Sequence, residues 1–98
     1  MITITTDQLE QFKQRMHITH SAEDDNLKRL LSFSVASLHS SCGEFDMETN
    51  ETAKELVFER ARYSYNDAIE YFEDNFLSEI NSLSFDLLPD EVEEDAEV

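Results

Sequence analysis

Glycine and proline are almost missing from this sequence, with one of each in 98 residues, and tryptophan is absent. So few turn residues argue against a turn-rich β fold and for helices. Cysteine occurs once, at Cys42, which rules out an intramolecular disulfide and fits a reducing compartment. Basic residues are scarce too: 7 stand against 23 acidic ones, for a formal net charge of -16. An acidic excess of that size disfavours nucleic acid or an anionic membrane as a partner. No apolar run approaches the ~18 residues that a membrane span needs, and the N-terminus lacks the basic-then-apolar secretory pattern. These shortages leave one expectation, a soluble, acidic, single helical domain with a modest core.

What is present is helical periodicity. The stretch from Thr49 to Leu83 contains no Gly and no Pro, so nothing in it forbids a continuous helix. Val57, Ala61, Ser64, Ala68, Phe72 and Phe76 recur at steps of three or four, as on one buried face. Thr52 and Glu55 have capping-box spacing near its start. A second helix is expected from Ser21, whose hydroxyl suits an N-cap, with Glu23, Asp24 and Asp25 complementing the helix dipole. Along it Leu27, Leu30, Leu31, Ser34, Val35, Leu38 and Cys42 trace one face, and Gly43 stands where a C-cap would want glycine. Near the N-terminus Met1–Thr5 reads as an extended arm or short strand. Thr5 and Gln8 have capping-box spacing, and Leu9, Phe12 and Met16 carry a short helix. Met16–His20 is expected to be a connection with Ile18 turned inward. Gly43–Glu48 is a polar loop anchored by Phe45 and Met47.

The predicted fold is therefore all-α. It is a small bundle built on an antiparallel hairpin of two long helices, about 21–42 and 50–82, plus a short helix at about 6–15. The helical domain spans 1–83. Residues 84–98 form an acidic tail with seven acids and no base, halted at Pro89 and expected to be flexible. Phe85, Leu87 and Leu88 are apolar residues set in that acid. They suit either a segment that orders against a partner or a solvated terminus.

Candidate chemistry is thin. His17 and His20, with His39 and Cys42, form two pairs at i, i+3 that could in principle ligate zinc. Two of the four lie in a predicted loop, however, and Cys42 continues an apolar stripe, so no metal is expected. Asp46, Glu48 and Asn50 alternate like the start of a calcium loop, but Glu51 and Val57 occupy the positions that need Gly and Glu. No nucleophile elbow, glycine-rich phosphate loop or metalloprotease helix motif occurs. Neither catalysis nor a cofactor is expected.

The distinctive surface is expected on the last long helix. Arg60, Arg62, Tyr63, Tyr65, Asn66 and Tyr71 gather two of the seven bases and all three tyrosines within twelve residues. Arg and Tyr are favoured at interface centres, where large contact area combines with fixed polar groups. The alternative is that the arginines pair with helix groups such as Glu59 and Asn66 while the tyrosine rings finish the core.

Glu55–Ile80 (ELVFERARYSYNDAIEYFEDNFLSEI) resembles the last long helix of head–tail connector proteins from tailed phages of Gram-positive hosts. The earlier segments TTDQLEQFK (5–13) and EDDNLKRLL (23–31), and the helix ending in Cys42-Gly43, agree with it. The resemblance covers most of residues 5–83 and is most specific at Arg60–Ala68, whereas Met16–His20 departs from the family's usual first connection. It implies a virion adaptor, made in the host cytoplasm, that binds beneath the portal protein at the head–tail interface. A ring, a dodecamer by family analogy with a monomer allowed as the free form, would extend the DNA channel and dock a stopper or tail-completion protein. DNA would pass through without specific binding, and no membrane is involved. In that setting the Arg–Tyr surface would meet a neighbouring copy, and Phe85, Leu87 and Leu88 would dock on the portal. The rival reading is an acidic DNA mimic that inhibits a DNA-binding protein; it requires a continuous acidic outer stripe.

Overall fold

The computed structural model describes residues 3–88, and every described regular element is helical. Helix α1 spans Thr6–Met16. Its start is a reciprocal capping box: the Thr5 hydroxyl accepts from the Gln8 backbone N–H at 3.0 Å, and Gln8 Oε1 accepts from the Thr5 N–H at 3.0 Å. Its end is a Schellman closure. His17 takes a left-handed conformation (φ 61°), Ile18 N–H reaches Lys13 O at 2.9 Å, and His17 N–H reaches Gln14 O at 3.2 Å. Ile18 is thereby turned toward the core, as expected.

Helix α2 spans Asp24–Cys42 and begins later than the predicted Ser21 start. The Ser21 hydroxyl does not cap it. Glu23 occupies the N-cap without a capping bond from its side chain, so the helix start is favoured mainly by Asp24 and Asp25 acting on the dipole. The helix ends at Gly43, whose φ of 111° and ψ of 171° are open only to glycine. Asp46 then organises the loop. Its Oδ1 accepts from Glu48 N–H and its carbonyl from Asn50 N–H, both at 2.9 Å. Met47 is buried there and Phe45 half-buried, with the Phe45 ring edge-on to His39 at 4.4 Å.

Helix α3 spans Glu51–Tyr65. Its cap is Asn50, which accepts from Ala53 N–H at 3.0 Å, rather than the predicted Thr52 box. The expected single helix to residue 82 does not form. Asp67 adopts a left-handed conformation (φ 59°), Ala68 N–H returns to Tyr63 O at 2.8 Å, and Asp67 N–H reaches Ser64 O at 3.1 Å. This is a second Schellman closure made without glycine, at an Asn-Asp pair whose side chains tolerate that region better than most. A 3-10 turn (Ile69–Tyr71), the one-turn helix α4 (Phe72–Asn75) and α5 (Leu77–Asp86) follow.

The length of α2 explains the gain from breaking. A straight helix over 50–82 would run about 50 Å at 1.5 Å per residue. The 19 residues of α2 offer only about 28 Å of cover by the same rule. Turning at Asp67 brings the second half back. Phe72 and Phe76 stack at 5.1 Å and both meet the Tyr63 ring edge-on, at 5.8 and 5.7 Å. Ile80 and Leu83 are buried against the hairpin. Phe72 and Phe76 therefore join the core through chain reversal, not along the one helical stripe that their spacing suggests.

The hairpin itself is as expected. Tyr65 near the end of α3 bonds Glu23 at the start of α2, and Arg60, earlier on α3, bonds Ser34, later on α2, so the two helices run antiparallel. Leu27, Leu31, Ser34, Val35, Leu38 and Cys42 form the buried side of α2. On α3 Ala53, Leu56, Val57, Phe58 and Ala61 are all buried, because α1, α2 and α5 cover it from three sides. The domain boundary placed at 83 falls inside α5, whose last turn reaches Asp86. The rest of the predicted tail, 89–98, lies outside the described residues.

Candidate interaction surfaces

The six residues of the predicted Arg–Tyr surface do not share one environment. Arg60 points toward α2, where Nη1 donates to Ser34 Oγ at 3.3 Å. It forms part of the floor of an open groove of about 190 Å³ bounded by Ser37, Ser41, Ile69, Glu70 and Glu73. Partial burial pulls its pKa below the usual arginine value, and the nearby Glu73 carboxylate only partly offsets this. Arg62 lies on the far side. It donates to Glu59 Oε1 from Nη2 at 2.7 Å and from Nε at 3.2 Å, and its guanidinium sits 5.4 Å from the Tyr63 ring centre. Hydrogen bonding to Glu59 raises its pKa.

The tyrosines separate in the same way. Tyr63 belongs to the aromatic cluster and its hydroxyl accepts from Asn75 Nδ2 at 3.0 Å. Tyr65 donates to Glu23 Oε2 at 2.8 Å, which holds its phenol above the ordinary value. Tyr71, 59% exposed, and Asn66 remain on the surface. Arg62–Glu59 is an intrahelical pair and Tyr63 finishes the core, while Asn66 and Tyr71 face outward.

A second arginine centre joins α1 to α3. Arg15 donates to Glu55 Oε2 at 2.6 Å and to Glu59 Oε2 at 2.8 Å, with its guanidinium 5.3 Å from the Phe58 ring centre. Burial alone would raise the Glu59 pKa, but hydrogen bonds from Arg62 and Arg15 outweigh it and hold the carboxyl below the ordinary value. Sequence reasoning missed this centre because its partners are 40 and 44 residues apart.

The potential metal ligands do not converge. Cys42 is buried and donates to Ile80 O at 3.6 Å, His39 Nε2 lies 3.2 Å from Phe45 O, and His17 forms the α1 cap. Among the described residues no three His, Cys, Asp or Glu side chains come close enough to hold an ion. No helix among them is long and apolar enough to cross a membrane.

Comparisons with protein-family models, with curated proteins and with solved structures find no match.

Surface chemistry therefore carries the functional reading. Among the described residues the large apolar side chains left exposed are Phe33, Tyr71, Leu77, Phe85 and Leu88. Phe85 is 69% exposed and Leu88 46%, one turn apart at the end of α5, while Leu87 between them is half-buried beside Gly43. Phe33, on the outer side of α2, was not among the predicted site residues. A signal for it exists in the sequence: Asn26–Gly43 contains no Asp or Glu, in a chain with 23 acids. Lys28, Arg29, Phe33, Ala36 and Ser40 form the exposed side of that acid-free helix.

Proposed function

We propose that this chain is a virion structural adaptor of a tailed phage. It assembles as a ring under the portal at the head–tail interface, extends the DNA channel and docks the next connector or tail component. The observation that carries the reading is the pairing of a small acidic helical unit with large apolar side chains kept in water, above all Phe85 and Leu88. Exposed apolar groups rimmed by charge are a feature of surfaces that bind other proteins. The resemblance of Glu55–Ile80 to connector proteins points to the class of assembly. In this reading the α5 end is a docking element for another subunit of the assembly, Asn66 and Tyr71 add exposed contact area, and no catalysis or cofactor is involved.

The charge supports the same role. A wall with three times as many acids as bases repels phosphates and lets DNA slide without sticking. A DNA mimic is less favoured, because the acid-free side of α2 interrupts the continuous acidic stripe that mimicry requires. Electron microscopy of particles lacking this protein is the test. DNA-filled heads without tails are expected; normal tailed particles would remove the adaptor reading.

A further inference from the structure

The exposed side of α2 has a charge character unlike the rest of the chain. Four of the seven bases are matched with carboxylates inside the molecule: Lys13 with Asp24, Arg15 with Glu55 and Glu59, Lys54 with Glu51, and Arg62 with Glu59. Lys28 and Arg29 are not. Both are exposed, Arg29 bonds Asn26 Oδ1 at 2.6 Å, and neither meets a carboxylate among the described residues. One turn further along the same side stands Phe33, 60% exposed. With 23 acids available, two adjacent bases beside a bare phenyl ring and no acid over Asn26–Gly43 make a surface suited to acids from another molecule.

We propose that the outer side of α2, centred on Lys28, Arg29 and Phe33, receives the Phe85–Leu88 end of a second copy of this chain. The inference rests on the self-assembly part of the proposed function and not on its viral setting. Charge complementarity selects the occupant. The α5 end offers the same mixture with the opposite sign, exposed Phe85 and Leu88 beside Asp86. Position then argues for a contact between copies. Leu87 lies against Gly43, where its Cβ would be 3.6 Å from an added Cβ, just beyond the last turn of α2. Lys28–Phe33 lie in the first half of that helix, at least ten residues or about 15 Å away along the axis. The donor patch thus lies beyond the C-terminal end of α2 and the acceptor patch on its first half. Where it is not reciprocated within a pair, a contact between them is head-to-tail and leaves a free patch on each copy, the heterologous arrangement that closes into rings or extends into filaments.

The test is sedimentation of the full chain over a concentration series, with circular dichroism as the fold control. Wild type is expected to self-associate, and Lys28→Glu/Arg29→Glu and Phe33→Ser each to weaken association at least about tenfold with helicity unchanged. Asp86→Lys is expected to weaken it as well. Mixing the Lys28→Glu/Arg29→Glu chain with the Asp86→Lys chain should restore association, because each then carries the charge its partner lacks. A wild type that stays monomeric to its solubility limit, or variants that associate as wild type does, would overturn the proposal. The adaptor reading fails separately. Untailed heads from the null combined with normal tails from a Lys28→Glu/Arg29→Glu/Phe33→Ser phage would overturn this surface alone.

Discussion

Two of the seams that hold helix α3, toward α2 and toward α1, differ in chemistry. Toward α2 the seam is apolar: Leu27, Leu31, Val35 and Leu38 share one buried core with Val57 and Ala61, and the Arg60–Ser34 bond is a polar contact beside it. Toward α1 one aromatic contact, Phe12 with Phe58 at 5.6 Å, is flanked by long charged side chains, Arg15 to Glu55 and Glu59 and Lys54 to Gln11. Burial of apolar area does not depend on protonation, whereas charge-assisted bonds depend on both pH and salt. The hairpin contacts are therefore insensitive to pH and salt, whereas the charged part of the α1 seam, beside the buried Leu9 and Phe12, responds to both.

The largest effect should come from breaking the apolar seam. Leu31 is fully buried, so Leu31→Ala leaves a cavity between α2 and α3 and is expected to cost about 2–5 kcal/mol. Urea unfolding followed by circular dichroism measures it; a loss below about 1 kcal/mol would show that this seam can collapse.

In the ionic seam Glu59→Gln keeps the shape and removes the charge that Arg15 and Arg62 share. The expected loss is about 1–2 kcal/mol, smaller because the arginines can still reach water. The same variant reads the pH dependence. Glu59 has its folded pKa below the ordinary value, so its contribution is present above the unfolded pKa of ~4.3 and is lost as pH falls through the folded one. The difference in stability between wild type and Glu59→Gln should therefore be constant near neutrality and shrink toward zero in acid. Taking the difference cancels the other carboxylates, whose protonation also relieves the net charge. A difference that persists at pH 2 would mean that Glu59 acts through packing rather than charge.

The two seams were unequally legible in the sequence. Leu27, Leu31, Val35 and Leu38 repeat at three and four, and such a period is a local property of one helix. The α1 seam depends on which residues the fold brings together, and Arg15 carries no mark of its distant carboxylates. The break after Tyr65 was hidden for a related reason. Asn66-Asp67 is a weak stop compared with Gly or Pro, and it acts here because α2 is too short to cover a longer α3. The candidate surface divided likewise. The concentration of Arg and Tyr was visible, but its dispersal to opposite sides of α3 was not. The acid-free run over α2 was visible throughout and needed only a count of what was absent.

The smallest effect sharpens the contrast from the apolar side. Ser34 is fully buried and accepts from Arg60 at 3.3 Å, a long bond to a guanidinium that also reaches an open groove. Ser34→Ala removes that acceptor but exposes no new unpaired group, because Arg60 can turn its donors to solvent or toward Glu73. The alanine methyl suits the surrounding Leu31, Val35 and Leu38 side chains better than a hydroxyl does. The two effects oppose each other, and the expected change is within about 1 kcal/mol of zero. Arg60→Met should be equally mild, and the double variant should show coupling of no more than about 0.5 kcal/mol. A loss above about 2 kcal/mol for Ser34→Ala would mean that the hairpin depends on a buried polar bond, and the division into an apolar and an ionic seam would have to be redrawn.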